Sequence, residues 1–373
     1  MKLDPALPTR VEFGRGGLDR IGPLARDHGS HALVVTGRTA ARTHGFLARA
    51  LDSLHAAGLR ATLYEAVSAN PRSDEVDKGA ALARHTGCDV VVAIGGGSAL
   101  DAAKCMAVTA RSGGSVRDLV GVTLDSGTPV LPLLAVPTTA GSGSEVTKGA
   151  IITDTVRGFR SGVRGEALFP KVAVVDPDLV ATLPRGVLAE TAFDAFAHAV
   201  ESCVSRQATV AGRDRAHQAV ELITESLPPL LKGEDSPAAR EALSRAAVLG
   251  GLNVATASTC LPHRLQQAMG SLRGLGISHG RGLAVIYPSW LRHTEPLAAE
   301  EFAAVAERLG GGTIHEATQR LLELAGLGSR LRDWGVDKQD LDTLVQGVSG
   351  NVANDPAPDI DAAYLHALYA ESF

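Results

Sequence analysis

The first half of the chain contains continuous apolar runs of strand length, and these runs constrain the fold more than any other feature. They lie at residues 31–37, 61–67, 89–98, 130–139 and 172–180. Segments with helical spacing separate them, for example at 46–59 and 75–87. Strands that are buried on both faces are apolar throughout, and they occur in parallel sheets covered by helices. The pattern therefore predicts an α/β domain with a parallel sheet.

The pattern changes near residue 185, after which strand signals almost vanish. Long stretches such as "RGVLAETAFDAFAHAVESCVS" and "AGRDRAHQAVELITESLPPLLKG" have helical spacing. A chain of 373 residues is also too long for one ordinary hydrophobic core. We therefore predict an α/β domain over residues 1–183, followed by an all-helical domain over residues 184–373.

Composition and charge exclude several classes of partner. The net charge is −5 and no run of Lys or Arg stands out, which argues against nucleic acid as the main partner. No apolar run is long enough to cross a membrane, and the N-terminal residues lack the apolar core of a signal peptide. The four cysteines are far apart and form no CxxC motif, which predicts reduced thiols in a cytoplasmic protein.

The segment "GGGSALDAAK", residues 95–104, follows the third apolar run and predicts a tight turn into a helix. The residues of interest are Gly95, Gly96, Gly97, Ser98, Asp101 and Lys104. We expect Ser98 to cap the helix and the exposed backbone N–H groups to bind phosphate oxygens. A plain structural turn, with a solvated Asp101–Lys104 ion pair, is the alternative.

A second loop, "AVPTTAGSGSEVT" at residues 135–147, is rich in hydroxyl groups and small residues. Its hydroxyl side chains are those of Thr138, Thr139, Ser142, Ser144 and Thr147. Ligands of open α/β sheets bind at the carboxyl ends of parallel strands. Two such loops at one sheet edge predict a ligand site more strongly than either loop alone.

The segment "ETAFDAFAHAVES", residues 190–202, places Asp194 and His198 one helical turn apart. Much of the rest of this helix is Ala, Phe and Val, as in a buried helix. A carboxylate and an imidazole buried without partners would be costly.

These segments, together with "VVDPDL", occur in the order seen in the iron-containing (group III) alcohol dehydrogenases, which the chain resembles from about residue 10 to about 300. The resemblance implies an N-terminal dinucleotide-binding domain, a helical metal-binding domain and a homodimer. It also implies nicotinamide-dependent interconversion of small alcohols and aldehydes. In the family, residues 95–98 would hold the pyrophosphate and the 135–147 loop would lie against the nicotinamide. Asp101 would lie close to nicotinamide and substrate and is expected to take part in catalysis.

The resemblance also implies four metal ligands, which are Asp194, His198, His263 and His279. One carboxylate and three imidazoles suit Fe²⁺ or Zn²⁺, and coordination would compensate the burial of these groups. Glu201, one turn beyond His198, is expected to support a ligand, with a solvated carboxylate as the alternative.

The chain departs from the family around the third ligand, in "CLPHRLQQ". Gln267 stands where many relatives have a second histidine, and an amide cannot take up a proton at neutral pH. Pro262 predicts that a helix begins or kinks there. Arg264 is either a surface arginine or a cation that binds an anionic group of the substrate.

The end of the first apolar run bears on cofactor choice. NAD-selective proteins place a carboxylate after this strand to bind the adenosine ribose. Here Gly37 and Arg38 follow instead, so we expect NADP(H) to be favoured over NAD(H).

The resemblance thus implies a metal-dependent alcohol dehydrogenase or aldehyde reductase for a small substrate, and Arg264 extends this to aldehydes that carry an anionic group. Three alternatives stay open at this point. They are a phosphonoacetaldehyde reductase-like enzyme, a glycerol dehydrogenase-like or dehydroquinate synthase-like enzyme, and a non-catalytic nucleotide-binding module.

Overall fold

The computed structural model describes residues 7–272 and 274–373, and the chain forms two compact units. The first runs up to Thr139 and also includes Gly143–Thr182. The second consists of Ala140–Ser142 and Leu183–Phe373. The predicted fold class, an α/β part with a parallel sheet followed by a helical part, is confirmed.

The first unit contains a six-stranded parallel sheet. Its strands are β1 (Arg10–Phe13), β2 (His31–Gly37), β3 (Arg60–Val67), β4 (Val90–Gly95), β5 (Leu133–Pro137) and β8 (Val172–Val175), in the order β1-β8-β5-β4-β2-β3. A separate antiparallel hairpin is formed by β6 (Gly149–Asp154) and β7 (Phe159–Arg164). The sequence patterns did not predict β1, because this strand is short. They did not predict the hairpin either, because arginine and glycine residues interrupt the apolar pattern of β7.

Helices cover both faces of the sheet. They are α1 (Ile21–Arg26), α2 (Ala40–Thr43), α3 (Phe46–Ala56), α4 (Ser73–Thr86) and α5 (Gly97–Ser112). Alternate strand residues point to opposite faces, so Val34 and Val92 pack with α1 and α3, whereas Leu33 and Val91 belong to the core that α4 and α5 cover. Burial on both faces explains why these strands are apolar throughout.

The strand order reverses at β2, whose neighbours in the sheet are β3 on one side and β4 on the other. Open α/β sheets bind ligands at the carboxyl ends of the strands beside such a reversal. Here β2 ends at Gly37 and β4 ends at Gly95, which pairs with Pro137 at the end of β5. Three adjacent strands therefore lead into the three segments predicted to bind the nucleotide.

All secondary-structure elements among the described residues of the second unit are helices. Its helices are α6 (Arg185–Val204), α7 (Val210–Leu231), α8 (Pro237–Ala257), α9 (Leu261–Ala268), α10 (His279–Thr294), α11 (Ala299–Arg308), α12 (Ile314–Ala325), α13 (Leu341–Gly347) and α14 (Ala362–Glu371). Phe193 and Phe196 of α6 pack against Tyr287 of α10 in the core. Helix α9 begins at Leu261, beside Pro262, as predicted. None of the described helices is long and apolar enough to cross a bilayer.

Candidate metal centre and nucleotide-binding loops

Helix α6 presents three ionisable side chains on one buried face. Asp194, His198 and Glu201 follow one another at spacings of four and three residues, and each is at most 5% exposed. Gly250 of α8 lies against His198, where an added Cβ would be 3.1 Å from the His198 Cβ. A glycine there allows the two helices to pack closely beside the imidazole.

Two further histidines converge on this face from other helices. His263 lies in the first turn of α9, and His279 is the first residue of α10. The Nε2 atoms of His198, His263 and His279 lie 3.6, 3.5 and 3.3 Å from Asp194 Oδ1. The fold thus brings together all four predicted ligands, although they span 86 positions from residue 194 to residue 279.

These atoms fit a divalent cation. Asp194 Oδ1 and His263 Nε2 are both buried without a hydrogen-bond partner among the described residues. One ligand atom each from Asp194, His263 and His279 lies within 4.8 Å of the others, which is close enough to hold a cation. His198 Nε2 lies 3.6 Å from Asp194 Oδ1 but falls outside this close group. A cation would therefore provide a partner for Asp194 Oδ1 and His263 Nε2, whose burial without a hydrogen bond is unfavourable.

The electrostatics of the cluster favour an ionised Asp194. Burial opposes its ionisation, but the neighbouring His198 and His279 hold the pKa of the carboxyl well below its usual range. Burial lowers the pKa of His198 to about 4, so this ring is neutral at neutral pH, as a ligand must be. Burial also tends to lower the pKa of His263, but the nearby Glu201 and Asp194 carboxylates have the larger effect and raise it to about 9. Metal binding would therefore displace a proton from His263.

Two side chains support the ligands from behind. Glu201 Oε1 lies 2.7 Å from His263 Nδ1, and its other oxygen accepts a 2.7 Å hydrogen bond from the Cys260 N–H. Glu201, expected near the ligands, thus contacts His263 on another helix. Gln266, which the sequence patterns did not single out, pairs its Oε1 with His279 Nδ1.

Arg264 and Gln267 are both buried, and the alternative of Arg264 as a surface residue is wrong. Arg264 is 4% exposed and donates a 2.7 Å hydrogen bond to Thr259 Oγ1. It also donates longer bonds, of 3.4 Å, to Ser258 Oγ and Gln267 Oε1. Ser258 has a φ of 61°, which is unusual for a residue with a side chain, so Arg264 contacts a strained turn.

The turn after β4 is packed closely against the start of the 135–147 loop. Thr138 donates its N–H to the Gly95 carbonyl at 3.0 Å, and a Cβ added to Gly96 would lie 3.2 Å from Thr139 Cγ2. The prediction that Ser98 caps α5 is wrong, because α5 begins at Gly97 and Ser98 lies inside its first turn. Its hydroxyl instead accepts a hydrogen bond from the Asn70 N–H. Gly96 holds the N-cap position, so the N–H groups at the helix start lie beside bare glycine backbone.

Lys104 of α5 is buried beneath the same loop and Asp101 is half-buried there, so the alternative of a solvated ion pair is wrong. The Asp101 carboxylate accepts hydrogen bonds from Ser144 Oγ at 2.6 Å and from the Ile151 N–H at 2.8 Å. Lys104 Nζ donates to the carbonyls of Thr147 and Gly149 at 2.9 and 2.8 Å. Burial raises the pKa of Asp101 and lowers that of Lys104 to about 8. Both side chains therefore hold the loop that follows β5, although Ser142 of that loop groups with the second unit.

Comparison with known families assigns both halves of the chain. The model for "iron-containing alcohol dehydrogenase" matches residues 8–177, and the model for the C-terminal part of the same family matches residues 188–368. The chain belongs to the iron-containing alcohol dehydrogenase family. This family uses NAD(P) and a divalent metal, and its members act on alcohols and aldehydes.

Individual members of the family are similar along the whole chain. A 1,3-propanediol dehydrogenase of Klebsiella pneumoniae is 30% identical, with 100% of this chain and 99% of the relative covered. The structure of an archaeal alcohol dehydrogenase from a Red Sea brine pool matches with a TM-score of 0.93 at 28% identity, covering 100% and 99% of the two chains. A sulfoacetaldehyde reductase from Bifidobacterium kashiwanohense, in complex with NAD⁺, matches with a TM-score of 0.87 at 27% identity, covering 100% and 98%.

The position where many dinucleotide-binding proteins select NAD holds an arginine that is already ion-paired. Arg38 follows Gly37 at the end of β2, and its guanidinium donates to Glu75 Oε1 at 3.0 Å. The Arg38 side chain is 63% exposed, whereas that of Glu75 is 7% exposed. The Glu75 carboxylate thus lies close to Arg38 although it is 37 positions further along the chain, because α4 places it beside the end of β2.

Sequence patterns also missed Arg160 on β7. Its Nε is buried without a hydrogen-bond partner among the described residues. Burial lowers its pKa to about 10, and the nearby Asp101 carboxylate opposes this shift. No signal in the sequence pairs these two residues, because the hairpin that carries Arg160 was itself not predicted.

Proposed function

We propose that this chain is a metal-dependent alcohol dehydrogenase or aldehyde reductase that transfers hydride between a nicotinamide nucleotide and a small aldehyde or alcohol. The observation that carries the proposal is the convergence of three imidazole Nε2 atoms on Asp194 Oδ1, at 3.3–3.6 Å. Full ligand sets are not expected in a decayed nucleotide-binding module. Membership of a family of alcohol dehydrogenases supports the reaction class.

The residues divide the work between cation and nucleotide. The cation, Fe²⁺ or Zn²⁺, would be held by Asp194, His198, His263 and His279. The pyrophosphate would be held by residues 95–98. The nicotinamide end would be held by Thr138, Thr139, Ser142 and Ser144. When bound, the cation supplies Lewis acidity toward the substrate oxygen, and the nicotinamide supplies or accepts the hydride. The protein contributes alignment and exclusion of water.

Asp101 was predicted to take part in catalysis, and we now propose that it acts as a positioning residue. Both of its carboxylate oxygens accept hydrogen bonds from the loop and the hairpin beside it. These bonds fix Ser144 in the segment assigned to the nicotinamide. A proton carrier would need an oxygen that is open to the substrate.

Gln267 occupies the position of the second histidine of many relatives, so that histidine is not present to transfer a proton. The Gln267 Oε1 accepts a hydrogen bond from Arg264, and an amide does not exchange a proton at neutral pH. We propose that water or the cofactor ribose moves the proton instead.

For the cofactor we propose NADP(H) over NAD(H). Residues 37–39 contain no carboxylate, and the exposed Arg38 guanidinium is available to a 2′-phosphate if it exchanges its partner Glu75. Glu75 opposes this choice, because its carboxylate would repel the same phosphate. The ratio of activities with the two nucleotides therefore tests the proposal directly.

The activity is tested with freshly purified protein, by measuring bound metal and by screening short aldehydes with NADPH and with NADH. We expect about one divalent ion per chain and aldehyde-dependent oxidation of the nucleotide, with higher kcat/KM for NADPH. Protein without metal and without turnover would favour a non-catalytic nucleotide-binding module. Product formed without net use of nucleotide would favour the dehydroquinate synthase-like alternative.

We further propose that the substrate carries an anionic group near its aldehyde, as in a phosphonoacetaldehyde reductase-like enzyme, and that Arg264 binds it. The similar sulfoacetaldehyde reductase, whose name specifies an anionic aldehyde, supports this choice. Arg264→Ala should raise KM for the anionic aldehyde by the equivalent of roughly 2–5 kcal/mol, because only the anion loses a charged partner. A neutral aldehyde of similar size should be almost unaffected.

Two further variants separate charge from structure in this experiment. Arg264→Lys should recover only part of the loss, because an ammonium lacks the planar fork of the guanidinium. Thr259→Val removes the shortest of the Arg264 hydrogen bonds given above but keeps the charge, so it serves as the matched control. Equal losses for charged and neutral aldehydes in Arg264→Ala would assign Arg264 to support of the strained turn at Ser258 and reject the anionic substrate.

We also propose a cytoplasmic location and a homodimeric assembly. The four cysteines are free and buried, which is consistent with the reduced thiols of a cytoplasmic protein. A homodimer is proposed from family resemblance, and the mass of the native protein in solution would test it.

A further inference from the structure

We infer that Gln266 is a positioning residue, which holds His279 in the orientation that binds the cation. The inference rests on the metal site proposed above and adds a residue that is not among the four proposed ligands. Gln266 is 1% exposed, and its Oε1 lies within hydrogen-bond distance of His279 Nδ1. A neutral imidazole that donates its Nδ1–H to this oxygen presents Nε2, its lone-pair nitrogen, toward Asp194 Oδ1.

His279 is the ligand that most needs such support. Asp194 and His198 lie in the middle of the long helix α6, and His263 is held by the Glu201 carboxylate. His279 instead stands at the first position of α10, and its side chain is 30% exposed, against 5–6% for the other three ligands. A partly exposed ring at a helix start has rotational freedom, which would be lost on metal binding. A buried acceptor behind the ring removes that freedom in advance.

The structure also provides space for the Gln266 side chain. Gly282 lies one turn after His279 on α10, and a Cβ added there would be 2.9 Å from Gln266 Cγ and 3.2 Å from Gln266 Nε2. Any larger residue at 282 would displace the amide from its place behind the imidazole. Two positions on different helices, Gln266 and Gly282, therefore contribute to one arrangement.

The charge of the support is the second part of the inference. Two carboxylates already lie in the cluster, Asp194 among the proposed ligands and Glu201 against His263. The amide of Gln266 orients His279 without adding a third negative charge. A glutamate at 266 would keep the acceptor oxygen and add that charge, so it should hold a divalent cation at least as tightly.

The test is a titration of metal-free protein with Co²⁺, which reports affinity and, through its visible absorption spectrum, ligand geometry. Gln266→Met keeps a similar side-chain shape but removes the acceptor, and it should weaken Co²⁺ binding by about 10–100-fold with an altered spectrum. Gly282→Ala should weaken binding in the same direction. Gln266→Glu should bind at least as tightly as the wild type. Gln319→Met, at a partly exposed position of α12, is the matched control and should bind as the wild type does.

The outcomes distinguish this inference from the metal site itself. Wild-type protein that does not bind Co²⁺, or Asp194→Ala that binds it equally well, would overturn both. Wild-type binding with no change in Gln266→Met would overturn only the role of Gln266. The thermal midpoint of each metal-free variant is the control for folding. If Gln266→Met and Gln266→Glu lose affinity together, in proportion to a lower midpoint, Gln266 is a structural residue and the inference is wrong.

Discussion

Asp194→Ala is expected to abolish metal retention and turnover while leaving nucleotide binding largely intact. Asp194 Oδ1 is the atom on which all three imidazoles converge, and Asp194 is the only carboxylate among the four proposed ligands. Loss of a residue that only supports a ligand already costs about 10–100-fold in metal affinity, so loss of the charged ligand should cost more. His263→Ala should behave similarly and would also leave Glu201 buried without its imidazole partner.

The measurement is metal content after purification, kcat, and the dissociation constant for NADPH. Nucleotide affinity is the internal control, because the glycine turn after β4 belongs to the first unit and the metal ligands to the second. Asp214→Ala, on an exposed position of α7, is the matched control and should keep both metal and activity. Full activity of Asp194→Ala in metal-free buffer would reject the ligand assignment.

Gly280→Ala is expected to have the second largest effect, although it adds only one methyl group beside a ligand. A Cβ at position 280 would lie 2.2 Å from the Glu190 carbonyl oxygen and 2.7 Å from the carbonyl carbon. These are backbone atoms of α6, so they cannot rotate away as a side chain would. The start of α10 must then move away from α6 and take His279 with it. Overpacking of this kind costs about 1–3 kcal/mol in stability, and more where the backbone cannot yield.

The expected result for Gly280→Ala is a lower thermal midpoint together with weaker metal binding. Gly276→Ala provides the control, because an added Cβ there meets nothing within 4 Å and the residue has no positive φ. That variant should match the wild type in both measurements. A Gly280→Ala protein with unchanged stability and affinity would show that α10 and α6 are packed less closely than described.

The fold class was predictable because burial on both faces leaves a direct trace in the sequence. The run at 31–37 coincides with β2, and the run at 89–98 contains β4 and the turn that follows. Strand β1 has only four residues, one of them buried, so it has no comparable apolar run. The β6–β7 hairpin was missed because Arg and Gly interrupt its second strand. Elements with a weak apolar pattern are recognised only once their neighbours in the fold are known.

The same distinction applies to the metal centre. Asp194 and His198 could be placed together from sequence, because a helix brings residues four apart onto one face whatever surrounds it. His263 and His279 could be named only through family resemblance, since no local period links them to α6. Their meeting point is set by how α9 and α10 pack against α6, including the close approach at Gly280.

The supporting contacts were decided by tertiary packing alone. Glu201 lies one turn from His198 yet contacts His263, and Gln266 reaches His279, which is 13 residues further along the chain. Arg38 meets Glu75, and Lys104 reaches the carbonyls of residues 147 and 149 instead of water. Periodicity along a chain reports which residues share a face of one helix or strand. Which of them meet across two elements depends on crossing angles and side-chain volumes, and these appear only when the elements are packed.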